Sequence, residues 1–185
     1  MSQIKNITTP LTDEVIASLN AGDEVRITGE LYTARDAAHK RLVDLLDQGQ
    51  PLPFDIKGAV IYYVGPSPAK PGAVVGSAGP TTSYRMDAYA ERLMEVGMKG
   101  MIGKGKRAKD VVDAIVKHKT VYFAAIGGAA ALIARSIKNV ELVAYEDLGP
   151  EAIRRMKVED FQAVVINDIH GADLYQMGQE KYRIE

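Results

Sequence analysis

From residue 59 onward, short apolar runs alternate with stretches of helical period, and that alternation constrains the fold more than any other feature of the chain. Ala59-Val-Ile-Tyr-Tyr-Val64 is a continuous apolar run, as expected of a strand covered on both faces. Gly100-Met-Ile102 and Val121–Ala125 read as further strands. A helix is expected to open at Gly79-Pro80-Thr81-Thr82, with Met86, Ala90, Leu93 and Gly97 on its inner face. Another is expected over Arg107–Lys117, and a small-residue helix from Gly127-Gly128 to Arg135. Val140–Tyr145 and Ala163–Ile166 read as two more strands, with a short helix near Pro150–Met156 between them. Strands interleaved with helices argue for α/β architecture with a partly parallel sheet.

The first half carries more strand and loop, which favours a mixed sheet over a purely doubly wound one. Glu24–Thr28 alternates apolar and charged residues as a half-buried strand does, and Gly29-Glu30 is expected to break it. From Thr33 the period becomes helical through Ala38, Leu42, Leu45 and Leu46, until Gly49, Pro51 and Pro53 stop it. The segment 65–79 is rich in Pro, Gly and Ser. It reads as a long connection with a short strand at Ala73–Val75, and long loops in compact domains are often functional. The 185 residues are expected to form a single domain, 1–185. A domain of this size buries roughly 70% of its unfolded surface and needs no staple.

The net charge is −1, which argues against a nucleic-acid or membrane-surface partner. Positive charge is concentrated instead between Lys99 and Lys109, where it marks either a small-anion site or a solvated helix start. There is no cysteine, which excludes disulfides, thiolate nucleophiles and a thiolate-held iron–sulfur cluster in this chain. With no signal-like apolar run at the N-terminus and no apolar stretch of spanning length, the expected location is cytoplasmic.

Three segments could carry chemistry. In Thr33-Ala-Arg35-Asp36-Ala-Ala-His39, Arg35 and His39 stand four apart on one helix face, a fixed cation beside a group that exchanges protons near neutrality. Surface placement, with Asp36 favouring the helix start, is the plainer account. In Gly79-Pro80-Thr81-Thr82-Ser83-Tyr84-Arg85, a hydroxyl-rich helix start would favour an anion; capping explains the threonines but leaves Arg85 unexplained unless a bound carboxylate lies there. The third segment, Gly103-Lys104-Gly105-Lys106-Arg107-Ala108, imitates two nucleotide motifs. Arg107 stands where a P-loop needs Ser or Thr, and no acidic residue follows between Ala114 and Val140 to hold a ribose. What remains is a glycine-flanked Lys104 at a strand end. Two arginines, a lysine, a hydroxyl and an imidazole suit a small diacid.

Gly79-Pro-Thr-Thr-x-x-Arg-Met-Asp87 and Thr33-x-Arg-Asp-x-x-His39 resemble class I fumarases. So do Gly103-Lys-Gly105, Gly127-Gly-Ala-Ala130 and Asp147-Leu-Gly-Pro-Glu-Ala-Ile153. The likeness spans nearly the whole chain and is to the β subunit, or to the C-terminal domain of single-chain versions; tartrate dehydratase β subunits share the skeleton. The resemblance implies a swivelling β/β/α domain. It also implies a cysteine-bearing α subunit that carries a [4Fe-4S] cluster, a dicarboxylate substrate, and a homodimer when isolated or an (αβ)2 assembly. By the same motifs Thr81 looks like the residue that takes the proton from carbon. Arg35, Arg85 and Lys104 look like the carboxylate binders, and His39 falls in a motif treated as catalytic in the tartrate branch. The competing reading is a nucleotide-binding module built on Gly103-Lys104-Gly105.

Overall fold

The computed structural model describes residues 4–125 and 130–184. Seven strands are described: β1 (Lys5–Thr8), β2 (Glu24–Thr33), β3 (Val60–Tyr62), β4 (Gly100–Gly103), β5 (Val121–Ala124), β6 (Ile137–Ala144) and β7 (Ile153–Asn167). The α-helices are α1 (Asp13–Ala17), α2 (Asp36–Asp47), α3 (Asp87–Glu95), α4 (Lys109–His118), α5 (Ala130–Ser136) and α6 (Leu174–Tyr182). Two 3-10 turns, Ser83–Met86 and Glu146–Glu151, complete the elements.

The strands run in the order β1-β2-β3-β4-β5-β7-β6, and an additional β2–β7 pairing closes β2, β3, β4, β5 and β7 into a barrel-like ring. β1 through β5 pair in parallel, whereas β7 runs antiparallel to β2, β5 and β6. The fold is therefore α/β with a mixed, partly parallel sheet, as the sequence indicates.

β3 shows why. Val60, Tyr62 and Val64 face the barrel interior with Ile27, Leu31, Ile102, Phe123, Phe161 and Val165. Ile61 and Tyr63 face the opposite way, into a second core with Leu42, Ala90, Leu93, Met101 and Ile115. A strand buried on both faces can be apolar throughout. The helix layer on its outer side is α2, α3 and α4, each presenting buried residues at helical spacing: Ala38 and Leu42, Ala90 and Leu93, Val111 and Ile115.

Several local expectations are corrected. β2 does not stop at Thr28 but runs on to Thr33. Gly29 takes a positive φ of 130° where Thr9 packs against it, and a Cβ there would lie 2.4 Å from the Thr9 hydroxyl oxygen. The pairing with β7 shifts register at that point instead of ending. The helix expected from Thr33 begins at Asp36, because Thr33 is the buried last residue of β2. Ala73–Val75 forms no strand and belongs to the loop after β3. Gly127-Gly128, the expected helix start, lies outside the described residues; the helix is described from Ala130.

The short helix expected near Pro150–Met156 is a 3-10 turn ending at Glu151, followed directly by the 15-residue strand β7. Ile153 and Met156 are both buried and three apart, a spacing that mimics a helix. Gly149, at φ 57° and ψ −118°, kinks the chain within the turn, and Ala152 at its end is extended at ψ 149°, so no helix continues into Ile153.

Candidate functional site

The parallel strands set the site. Thr33 pairs with Tyr62, Tyr62 with Ile102, and Ile102 with Phe123, one row across β2, β3, β4 and β5. Two residues further along the chain from each, just past the strand ends, lie Arg35, Val64, Lys104 and Ala125. The carboxyl edge of a parallel sheet is where α/β folds bind ligands, because the chain there leaves the sheet in loops and helix starts.

Arg35 is the N-cap of α2 and offers no side-chain cap. Its guanidinium reaches past Gly65, where a Cβ would sit 2.9 Å from Nη1, and its Nη2 lies 3.3 Å from a Glu151 carboxylate oxygen. The Arg35 Nε–H is buried and unpartnered among the described residues. Arg154 holds the turn that carries Glu151, donating to the carbonyls of Gly149 at 2.9 Å and of Pro150 and Ala152 at 3.3 Å each.

His39 lies one turn into α2 and is fully buried. Its Nδ1 is 2.8 Å from the Arg35 carbonyl oxygen, which can only accept, so Nδ1 carries the proton and Nε2 is the bare, unpartnered nitrogen. The ring stands edge-on to Tyr63 at 5.3 Å. Burial, with a smaller contribution from the Arg107 charge, pulls its pKa down to about 4 despite the Arg35 carbonyl and Asp36. His39 is thus a neutral imidazole at pH 7 that secures the backbone of Arg35. Surface placement, the plainer account of the two side chains, fails for His39, which is buried, while Arg35 is half-buried.

The Gly79–Arg85 segment does not cap a helix with its threonines. A 3-10 turn precedes α3, and Thr82, its N-cap, makes no side-chain cap bond. The Thr81 amide instead donates to the Tyr63 carbonyl at 2.6 Å, fixing Thr81 to the end of β3. Arg85, expected to need a bound carboxylate, has one within the protein: its Nη2 donates to Asp36 Oδ2 at 2.6 Å. Burial pushes the Asp36 carboxyl up, but the Arg85 hydrogen bond and the neighbouring Arg85 and Arg35 charges hold it below the usual range.

The basic run Lys99–Lys109 does not form one patch. Lys99 pairs with Asp13, Lys106 donates to Gln179, Lys109 pairs with Asp113, and Arg107 is buried against Asp87. Lys104, just past the end of β4, is exposed, as are Lys106 and Lys109, and among the described residues no carboxylate pairs with Lys104. The Lys104 amide already donates to Ser83 Oγ at 3.1 Å and the Ala108 amide to Asp87 Oδ2 at 2.8 Å, so neither is free for an anion.

The structure therefore brings Arg35, Thr81, Arg85 and Lys104 to one edge and keeps His39 behind it. Sequence reasoning missed Asp36 as the partner of Arg85, and Ser83, Asp87, Arg107 and Tyr122 as the framework. Ser83 and Asp87 lie inside the motif, but their partners are 20 to 39 residues away, and no local signal joins them. Among the described residues, none of the main cavities is lined by Thr81, Arg85 or Lys104. A cavity of about 410 Å³ adjoins the edge, lined in part by Pro66, Ser67, Val140, Pro150 and Arg154. The site is an open rim rather than an enclosed pocket.

A mixed barrel-like sheet whose parallel carboxyl edge carries three cations and a hydroxyl defines an α/β domain suited to a small polyanion. The chain belongs to the family described as Fumarase C-terminus, which it matches over residues 2–178. It is 43% identical over 168 residues to the anaerobic class I fumarate hydratase of Escherichia coli, covering 88% of this chain and 31% of that protein. It is 42% identical over 156 residues to fumarate hydratase 2 of Leishmania major, covering 83% of this chain and 28% of that one. A Methanocaldococcus jannaschii protein, provisionally named L(+)-tartrate dehydratase subunit beta, is 36% identical over 177 residues, covering 92% of this chain and 91% of its own length. The chain spans about a third of the length of the fumarate hydratases it matches.

Proposed function

We propose that this chain is the β subunit of a two-subunit hydro-lyase that interconverts malate and fumarate by eliminating or adding water, and that residues 1–185 act as one unit in it. The observation that carries the reading is the convergence of Arg35, Arg85 and Lys104 with the Thr81 hydroxyl on one carboxyl edge. Guanidinium forks and an ammonium hold carboxylates by charge-assisted hydrogen bonds. Arg85 engages Asp36 through one nitrogen, which leaves its other N–H groups for a ligand. Thr81, anchored through its backbone to Tyr63, keeps its side chain for the substrate. In this reading the Thr81 oxygen, having first given its own proton to a neighbouring base, takes the proton that leaves carbon, as hydroxide leaves the neighbouring carbon. His39 is buried, so its part is to hold the Arg35 backbone rather than to exchange protons.

A [4Fe-4S] cluster does not fit this chain's own residues. The edge offers cations and a hydroxyl, and the sequence has no thiolate. The cluster therefore belongs to a cysteine-bearing α subunit, whose surface would close the open rim. The isolated chain is expected to form homodimers, and the complete enzyme an (αβ)2 assembly in the cytoplasm. Among the described residues no helix is long and apolar enough to cross a membrane.

A second substrate has its own support. The relative that this chain matches over nearly its whole length carries the name of an L(+)-tartrate dehydratase β subunit. One experiment tests both. The chain is co-expressed with the cysteine-bearing partner, the cluster reconstituted anaerobically, and malate, fumarate and L-tartrate are assayed. Turnover of malate and fumarate in the complex, and none by the chain alone, is expected. Turnover of L-tartrate alone would move the assignment to that branch, and turnover by the single chain would overturn the two-subunit reading.

A further inference from the structure

The segments carrying Thr81–Arg85 and Lys104 are distant in sequence, yet they are stapled together by groups that no solvent reaches. Ser83 is fully buried; its amide donates to the Lys104 carbonyl at 2.9 Å, and its Oγ accepts from the Lys104 amide at 3.1 Å. The same Oγ lies 2.8 Å from the hydroxyl of buried Tyr122, which donates to the Gly105 carbonyl at 2.8 Å. The proton count fixes the directions. Gly105 can only accept, so the Tyr122 proton goes there, and the Ser83 hydroxyl must donate to Tyr122. Each hydroxyl then gives one hydrogen bond and accepts one, and the chain of bonds closes on both sides of Lys104. Gly103 is part of the fit, because a Cβ there would stand 2.0 Å from Ser83 Oγ.

We propose that Ser83, backed by Tyr122, is a positioning residue that sets the Lys104 ammonium against Thr81 and Arg85. The inference rests on the reading of Lys104 as a carboxylate binder. Thr81 has an independent tie, its 2.6 Å bond to the Tyr63 carbonyl; loss of the Ser83 hydroxyl keeps the Ser83 amide bond to the Lys104 carbonyl but frees the Lys104 amide, so Lys104 shifts while Thr81 stays in place. The consequence is a split in kinetics. Binding of the substrate carboxylate weakens while the proton-transfer step is kept.

The test compares wild type, Ser83→Ala, Tyr122→Phe and the double variant in the assembled enzyme, with Tm for each. Ser83→Ala should raise KM by roughly 10- to 100-fold, the scale of effect of a displacement near 1 Å, with kcat within about threefold. Tyr122→Phe should raise KM less, because the Ser83–Lys104 bond survives, and the two effects should not add. It also serves if Ser83→Ala does not fold. A lowered Tm with normal KM would show a buried structural bond and nothing more, and a fall in kcat at constant KM would overturn the role assigned to Lys104. Amide exchange in the isolated chain separates this from the functional reading. If wild-type assembly turns over no diacid, faster exchange at Lys104 in Ser83→Ala still supports the staple, and unchanged exchange refutes it.

Discussion

Arg85 and Asp36 form an ion pair of 2.6 Å between the 3-10 turn before α3 and the first residue of α2, and each side chain is about a third exposed. The pair ties together the two sequence motifs that hold the candidate site. An exposed pair of this kind adds only about 0–1 kcal/mol to stability, so its value lies in aiming the guanidinium. Asp36→Ala should therefore raise KM several-fold while Tm moves by no more than about 4 °C. A lower KM in steady-state assays would mean that Asp36 competes with the substrate.

Replacing Arg85 or Lys104 by Met removes a charge-assisted contact to a carboxylate, a loss of about 2–5 kcal/mol when one partner of a buried pair is truncated. The expected result is a kcat/KM reduced roughly 30-fold or more, with circular dichroism and Tm near wild type. Normal kinetics in both variants would reduce the edge to ordinary solvated charge.

Thr81→Ala should cut kcat by roughly 10²-fold, as loss of a proton-transfer group does, with substrate affinity little changed. Thr82→Ala is the internal control, since Thr82 makes no side-chain cap bond and stands one residue away. Equal, small effects on kcat in the two variants would remove Thr81 from proton transfer.

Burial holds the His39 pKa at about 4 in the folded protein, against an ordinary 6.5 when unfolded. The folded value is the lower one, so stability from this group is fully present above about pH 6.5. As pH falls towards 4, the unfolded chain binds the proton first and that stability is lost, on the order of 3 kcal/mol in all. Chemical denaturation of wild type and His39→Gln between pH 7 and 4 should show a shallower loss in the variant. Proton NMR should find the imidazole neutral down to about pH 4; titration near 6.5 would contradict its burial.

Arg107 and Asp87 form a pair with side chains 0% and 12% exposed, in which Arg107 Nε donates to Asp87 Oδ1 at 2.6 Å. Asp87→Ala strands a buried guanidinium and should cost about 3–5 kcal/mol, lowering Tm by roughly 6–20 °C. The double change Asp87→Leu with Arg107→Met removes both charges and should recover much of that loss. Thermal melts of the two variants decide the point, and a double variant no better than Asp87→Ala would argue against an electrostatic cause.

The sequence by itself determined the fold class and pointed to the side chains of the candidate site. Val60 to Val64 could be apolar throughout only if layers cover both faces, and Val111 with Ile115 marks a helix by its period, so local pattern and final burial agree there. The motifs also named Arg35, Thr81, Arg85 and Lys104 before any contact was known. Local pattern fell short where a neighbour distant in the chain decided the outcome. Gly29 looks like a strand break until Thr9 packs against it, and Ile153 and Met156 look helical until β2 and β6 pair with β7. The same holds for charge. The five basic residues from Lys99 to Lys109 look alike in sequence, yet Arg107 is buried against Asp87 and Lys99 is turned to Asp13, while Lys104 stands exposed with no carboxylate partner among the described residues. Which cation is free depends on where the opposite charges fold, and which loop is rigid depends on whether a hydroxyl such as Ser83 meets its partner 39 residues away. Those are properties of distances in space, and only the tertiary structure sets them.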